Sequence, residues 1–230
     1  MRWSISFRSA PPREPPTLEA SPLAVLLVHG LWRTPLSFLS LVNRLRAWGH
    51  RPEQFGYAAV AERYEAIADR LVRRVQHLAA SGEPYAVIGH SLGGVLLRSA
   101  LPRVAGPQPQ HLVMLGSPNR PPRLAKRLGV RWVYRRLMGE CGVNLSSELF
   151  YAALPPPTVP YTIVAGTAGP RGRWSPFGDE PNDGIVAVSE TRVQDDDVVV
   201  FLPVTHTFMM RDRAVQAVIA RALTAVHPRE

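Results

Sequence analysis

The apolar positions of the chain follow two alternating patterns. Short apolar runs without polar interruption predict strands that are buried on both faces of a sheet. Such runs occupy residues 23–28, 85–88, 111–115, 161–165 and 198–202, and residues 52–58 form a weaker strand candidate.

Between these runs, apolar residues recur every three or four positions, which places them on one face of a helix. Helices are predicted at about 35–48, 60–80, 92–104 and 208–226. Strands that are separated by helices pair in parallel, and the helices cover both faces of their sheet. The pattern therefore predicts an α/β fold, a three-layer α/β/α sandwich around a mostly parallel sheet of about six strands.

The domain organisation follows from length and proline content. Residues 1–20 are rich in proline and are predicted to form an extended N-terminal segment. The chain has 230 residues, which is long enough for one domain with a full core. We therefore expect residues 21–230 to form a single domain.

The charge is strongly basic, with a net value of +9, yet Lys126 is the only lysine among 27 basic residues. The arginines are spread along the chain rather than gathered in one arm, so we expect no nucleic-acid partner. A solvated basic surface is the simpler interpretation of this charge. Peripheral contact with an anionic membrane surface is the alternative.

The cysteine count and the length of the apolar runs indicate where in the cell the protein is located. A single cysteine, Cys141, excludes an internal disulfide and a cysteine-based zinc site. No apolar run reaches the ~18–20 residues that span a bilayer, and the N-terminus lacks the apolar stretch of a signal peptide. We expect a cytoplasmic protein.

The most informative stretch is residues 84–94, in which an apolar run stops at a small-x-Ser-x-small pattern and a helical pattern follows. This is the pattern of a nucleophile elbow, a turn that strains the backbone of its central serine, here Ser91, and exposes the hydroxyl. Gly89 and Gly93 leave room where the strand and the helix converge. We therefore expect Ser91 to be a nucleophile.

Further candidates follow other predicted strands, at the edge where open parallel sheets carry their active sites. A serine hydroxyl needs a base, and of seven histidines only His206 follows the last strand in a loop before a helix. A carboxylate must then orient the imidazole. Asp183 is favoured because the tight turn at 182–184 holds it, while Asp179 and Glu180 stay open as alternatives.

Negative charge that develops on a carbonyl oxygen during nucleophilic attack needs two N–H donors. The backbone N–H of Leu92, directly after the serine, is one candidate, and that of Leu31 is the other. Gly30 lets the chain before Leu31 approach the serine closely. The residues thus favour an acyl-transfer site with an oxyanion hole.

In this order, the motifs resemble the α/β-hydrolases of the small bacterial lipase and esterase kind over roughly residues 23–226. They are His29-Gly30-Leu31, Gly89-His90-Ser91-Leu92-Gly93-Gly94, Asn182-Asp183-Gly184-Ile185-Val186 and His206. The resemblance implies an enzyme that cleaves carboxylic esters through an acyl-enzyme on Ser91, with Asp183 and His206 completing a catalytic triad. It also implies that His29 and Gly30 support the oxyanion loop, and that the sheet is a reduced version of the family's.

The expected substrate is a small-molecule or lipid ester, with no cofactor and no metal. Residues 119–157 lie where the resemblance implies a small cap, although an ordinary pair of surface helices explains this basic segment equally well. Several side chains near the catalytic loops fit an acyl pocket or the core equally: Trp32, Phe38, Trp174, Phe177, Phe208 and Met209.

Two other functions stay open at this point. An acyltransferase or a thioesterase uses the same acyl-enzyme with a different acceptor or donor. A non-catalytic scaffold that acts as a binding module is less favoured, because every triad position holds a suitable residue.

Overall fold

The computed structural model describes residues 22–125 and 132–224, with the backbone alone at 132–135. The predicted N-terminal segment at 1–20 therefore lies outside the described residues. The strands are β1 Ala24–Val28, β2 Arg51–Phe55, β3 Tyr85–His90, β4 Leu112–Leu115, β5 Tyr161–Gly166 and β6 Val199–Leu202. The α-helices with complete described bounds are α1 Leu39–Ala47, α2 Tyr64–Ala80, α3 Leu92–Ala100, α4 Trp132–Leu145, α5 Glu148–Ala153 and α6 Arg213–Thr224.

The six strands form one sheet in the order β2-β1-β3-β4-β5-β6. Every neighbouring pair is parallel, which confirms the predicted six-stranded parallel sheet. Near one side of the sheet, Val28 at the end of β1 stands beside Phe55 of the edge strand β2 and Gly89 of β3. The carboxyl ends of these strands therefore lie side by side at one edge of the sheet.

Both faces of the sheet are covered, which explains why the strand runs carry no polar alternation. In β1, Leu26 packs into the core that α2 and α3 cover, whereas Leu27 packs into the core that α1 and α6 cover. Successive side chains of a strand point to opposite faces, so both sides of β1 must be apolar. This confirms the three-layer α/β/α arrangement.

Three predicted helices begin later than their apolar spacing indicated. The helix predicted at 60–80 starts at Tyr64. The helix predicted at 35–48 opens with a 3-10 turn, Pro35–Phe38, before α1. The closing helix is likewise preceded by a 3-10 segment, His206–Arg211. Asp212 accepts hydrogen bonds from the N–H groups of Ala214 at 2.8 Å and Val215 at 3.0 Å. It therefore caps α6 and sets its first turn.

The region of the expected cap contributes to the core. Helix α4 bends at Gly139, where the backbone leaves the helical conformation, and beyond the bend Cys141 and Leu145 are buried in the core under α2 and α3. Glu140 accepts a hydrogen bond from the first N–H of α2, that of Tyr64, at 3.2 Å. The C-terminal half of α4 is thus packed against the body of the fold.

A buried arginine fastens the end of this region. Arg98 of α3 is 4% exposed, and its guanidinium donates to the carbonyl oxygens of Leu154 and Pro155 and to the side chain of Asn119. Planar guanidinium groups are suited to such multiple hydrogen bonding. The helix that follows the serine elbow is therefore tied to the chain after α5.

No helix within 22–125 or 132–224 combines the length and the apolarity needed to cross a bilayer.

Candidate active site

The elbow at Ser91 has the strained geometry that its sequence predicts. Ser91 joins β3 to α3 with φ 55° and ψ −123°, a positive φ that side-chain-bearing residues rarely adopt. Its N–H donates to the carbonyl of Leu115 on the next strand at 2.9 Å. A Cβ on Gly93 would lie 1.9 Å from the carbonyl oxygen of Val28. Only glycine therefore allows α3 to start this close to β1.

The loop after β1 lies directly against the serine. A Cβ on Gly30 would be 2.9 Å from the Cβ of Ser91. The preceding residue, His29, is fixed on two sides. Tyr57 donates its hydroxyl to the His29 carbonyl at 2.5 Å, and the two rings stack at 4.1 Å. This support holds the segment that continues into Leu31.

The candidate base and acid are in direct contact. Nδ1 of His206 lies 2.6 Å from Oδ2 of Asp183, and both side chains are buried. The other carboxylate oxygen, Oδ1, accepts from the N–H groups of Ile185 at 2.9 Å and Val186 at 2.7 Å. The backbone N–H of His206 donates to the Asp183 carbonyl at 2.9 Å. With a proton on Nδ1, the Nε2 atom of His206 is left as the basic nitrogen.

The two alternative carboxylates lie elsewhere. Asp179 is exposed. Glu180 is paired with Arg123 and accepts a hydrogen bond from the N–H of Ser189 at 3.0 Å. Neither carboxylate contacts His206, so the geometry favours Asp183.

His90, which directly precedes Ser91, contacts His206. In the described part of the chain, the Ser91 hydroxyl makes no hydrogen bond to His206. His90, the residue before the serine, contacts the His206 carbonyl through Nε2 at 3.0 Å. The His90 and His206 rings are 4.7 Å apart. Catalytic hydrogen bonds of this kind are often long before substrate binds, so the Ser91–His206 contact remains a prediction.

Sequence reasoning missed the contact between His90 and the backbone of His206. As a candidate base, the residue is excluded by its position, because it precedes the serine and points away from the hydroxyl. Its place at the buried end of β3 was the available signal, since a polar side chain there needs a partner from a neighbouring loop.

Two histidines at this edge stay neutral because they are buried. Burial lowers the pKa of His90 well below its ordinary value near 6.5, and burial also lowers the pKa of His29. His90 is 1% exposed. Below about pH 6.5, each of these histidines therefore binds a proton in the unfolded chain that it does not bind in the folded protein.

We expect the free energy of unfolding to fall as the pH drops below about 6.5, the ordinary histidine pKa. Stability that is present above this value is lost towards the lower, folded pKa, at ~1.4 kcal/mol per pH unit for each such histidine. Urea unfolding at several pH values measures the slope. The variant H90Q should flatten it, whereas H77Q, at an exposed position of α2, should leave it unchanged. Equal slopes in both variants would contradict this account.

The candidate pocket residues divide into two groups. Phe38, Phe177 and Met209 are buried in the protein interior, so these three belong to the core. Trp174 and Trp32 are 85% and 60% exposed. Phe208 is half exposed and lies two residues after His206, so it and Trp32 flank the site from outside.

Two depressions lie outside the triad. One, of about 390 Å³, is lined by side chains that include Arg98, Asn119 and Gln194. The other, of about 330 Å³, is a groove between the 3-10 segment Pro35–Phe38 with the start of α1 and the 3-10 segment His206–Arg211. The described residues contain no cluster of three or more histidine, cysteine or acidic side chains that is placed to hold a metal ion.

The sequence profile described as the alpha/beta hydrolase family matches residues 25–222. The chain therefore belongs to the α/β-hydrolase family, as its motifs indicate. No curated protein matches the sequence.

Several solved structures share the fold at low sequence identity. A metagenomic carboxyl esterase, MGS0156, is 16% identical, with a TM-score of 0.69 over 96% of this chain and 82% of its own. The lipase BlEst2 of Bacillus licheniformis is 18% identical, with a TM-score of 0.68 over 94% of this chain and 96% of its own. Phospholipase PlaB of Legionella pneumophila is 17% identical, with a TM-score of 0.67 over 89% of this chain, which spans only 60% of PlaB. At these identities the likeness concerns the fold.

Proposed function

We propose that the protein is a serine hydrolase that cleaves carboxylic esters through an acyl-enzyme on Ser91. The contact that carries the proposal is the 2.6 Å pair of Asp183 and His206, which lies at the same sheet edge as the strained serine. A buried carboxylate that holds Nδ1 of an imidazole is the arrangement that prepares Nε2 as a general base. The lipase and esterase folds among the similar structures agree with this chemistry.

In the proposed reaction, Nε2 of His206 takes the proton of the Ser91 hydroxyl while Oγ attacks the ester carbonyl. The oxyanion that forms accepts hydrogen bonds from the N–H groups of Leu31 and Leu92. Leu92 is the first residue of α3, so its N–H has no partner within the helix. Protonated His206 then gives its proton to the leaving alkoxide, and an alcohol departs.

The second half of the reaction repeats these steps with water. His206 removes a proton from water, the hydroxide attacks the acyl-enzyme, and the carboxylic acid leaves as the serine regains its proton. Asp183 keeps the imidazole in one orientation throughout, because its Oδ1 is fixed by two backbone N–H groups.

A fluorophosphonate probe tests the proposal directly. It should label the wild-type protein at Ser91, as located by peptide mass spectrometry, and p-nitrophenyl esters should be turned over. No labelling of a folded protein would favour the binding module, whereas labelling at another residue would reject Ser91 as the nucleophile. Adding an alcohol or thiol acceptor distinguishes the transferase, since a hydrolase releases only free acid.

The rim of the site favours a lipid substrate at an anionic membrane surface. Leu36 is 68% exposed and Trp32 60%, and Leu36 lines the 330 Å³ groove together with Arg33 and Arg211. No acidic side chain is found among the described residues that line the groove. Exposed apolar side chains flanked by cations are typical of surfaces that bind anionic lipid. The cytoplasmic location expected from the sequence stays a prediction.

The variant L36S should bind vesicles of phosphatidylglycerol ~10-fold more weakly, since burying one leucine contributes about 1.5–3 kcal/mol. The control variant L149S removes a leucine that is 85% exposed on α5, and it should bind like wild type. Co-sedimentation with phosphatidylglycerol and phosphatidylcholine vesicles measures the difference. Equal losses in the two variants, or no preference for the anionic lipid, would overturn this assignment.

A further inference from the structure

His90 connects the strand that carries the nucleophile to the loop that carries the base. It is the last residue of β3 and directly precedes Ser91. Its Nε2 lies 3.0 Å from the backbone carbonyl oxygen of His206, and its ring lies 4.7 Å from the His206 ring, tilted by 49°. The residue is almost completely buried, so water does not compete for this contact.

The contact defines the tautomer of His90. A carbonyl oxygen only accepts hydrogen bonds, so Nε2 must carry the proton. Nδ1 is buried and has no hydrogen-bond partner among residues 22–125 and 132–224, and it lies 3.1 Å from the position that a Cβ of Gly30 would occupy. A neutral ring with its proton on Nε2 satisfies this geometry, and burial keeps the ring neutral by lowering its pKa.

The hydrogen bond from His90 fixes the position of His206 relative to the serine elbow, which the contacts of Asp183 do not fix. Asp183 contacts the ring and the backbone N–H of His206, and both contacts come from the β5–β6 side of the site. Neither relates His206 to the elbow. The bond from His90 joins the backbone of His206 to the residue beside the nucleophile.

We propose that His90 is a positioning residue, whose Nε2–H holds the backbone of His206 at the distance from which its imidazole reaches the Ser91 hydroxyl. The proposal rests on the proposed function, since it concerns the same serine and histidine. Displacing a catalytic group by ~1 Å costs about 10²-fold in rate. Loss of the bond should therefore lower kcat.

Glutamine and methionine at position 90 form a matched pair. They have similar length and volume, and the amide nitrogen of glutamine reaches the place of Nε2, whereas the methionine side chain donates no hydrogen bond. We expect H90M to lower kcat for a p-nitrophenyl ester by about 10–100-fold, with KM within about threefold. H90Q should recover kcat to within about fivefold of wild type.

The rate of labelling by a fluorophosphonate should follow kcat in both variants, and thermal melting checks that both are folded. Equal kcat in folded H90Q and H90M would overturn the proposal, as would a loss of kcat that follows the melting temperature. If the wild-type protein is not labelled at all, the proposed function fails first, and the two failures are thereby distinguished.

A measurement on the unaltered protein does not depend on how the variants fold. Long-range ¹H–¹⁵N correlation spectra of protein with ¹⁵N-labelled histidine report which ring nitrogen carries the proton. His90, assigned by comparison with H90Q, should be neutral at pH 7 and protonated on Nε2. A proton on Nδ1 would overturn the proposal, because Nε2 then has nothing to donate.

Discussion

The variant S91A should lose ester turnover almost completely, with kcat falling by about 10⁶-fold, as is typical when a nucleophilic serine is removed. Labelling by the fluorophosphonate should disappear with it. The reason is chemical rather than structural, since alanine keeps the Cβ and removes only the atom that forms the acyl-enzyme. Stopped assays with a p-nitrophenyl ester and in-gel detection of the probe measure both effects.

Ser117 provides the matched control. It is another buried serine at the same edge of the sheet, and its hydroxyl makes a long contact of 3.4 Å to the Gly89 carbonyl. We expect S117A to keep both labelling and turnover. Turnover that persists in S91A would reject Ser91 as the nucleophile, provided that the wild-type activity is inhibited by the same probe.

The second large effect is expected for D183N, with kcat lower by about 10⁴-fold, because an amide in place of the carboxylate favours the wrong imidazole tautomer. Asp183 receives two backbone N–H bonds at Oδ1, and an amide oxygen can keep them. The amide nitrogen then faces Nδ1 of His206, where two donors oppose each other unless the ring gives up its Nδ1 proton. Steady-state kinetics at pH 7–8 measures the loss.

D179N is the control for this position. Asp179 is exposed and stayed open as the alternative carboxylate from the sequence alone, so its replacement should leave the rate unchanged. A rate loss in D179N together with an active D183N would exchange the two roles. Comparable thermal melting of the variants is needed for either conclusion.

The architecture could be predicted because it depends on local patterns. Each strand run is apolar throughout, and a strand buried on both faces has no other pattern available to it. The elbow could be predicted for the same reason, since its serine and flanking small residues are contiguous in the sequence. Helix starts were less predictable: α6 begins where Asp212 caps it, whereas the apolar spacing extends further back.

The contacts between residues far apart in the sequence could not be predicted from local sequence patterns. The approach of Asp183 to His206 was expected because both follow strand ends. The tight turn at 182–184 favoured Asp183 without excluding Asp179, and the contact at 2.6 Å comes from the fold. The hydrogen bond of His90 joins residues that are 116 positions apart. Likewise Phe38 and Trp32 are both aromatic and only six positions apart, and tertiary packing alone buries Phe38 and exposes Trp32.

The strand order has a consequence for synthesis. The edge strand β2 and its neighbours β1 and β3 lie within residues 24–90, whereas His206 follows β6 at the opposite edge. As the ribosome releases the chain from its N-terminus, the nascent protein has its nucleophilic hydroxyl long before the imidazole that activates it. On the proposed mechanism, a chain interrupted before residue 206 carries an unactivated serine, and hydrolytic activity appears only after His206 has been added and β6 has joined the sheet.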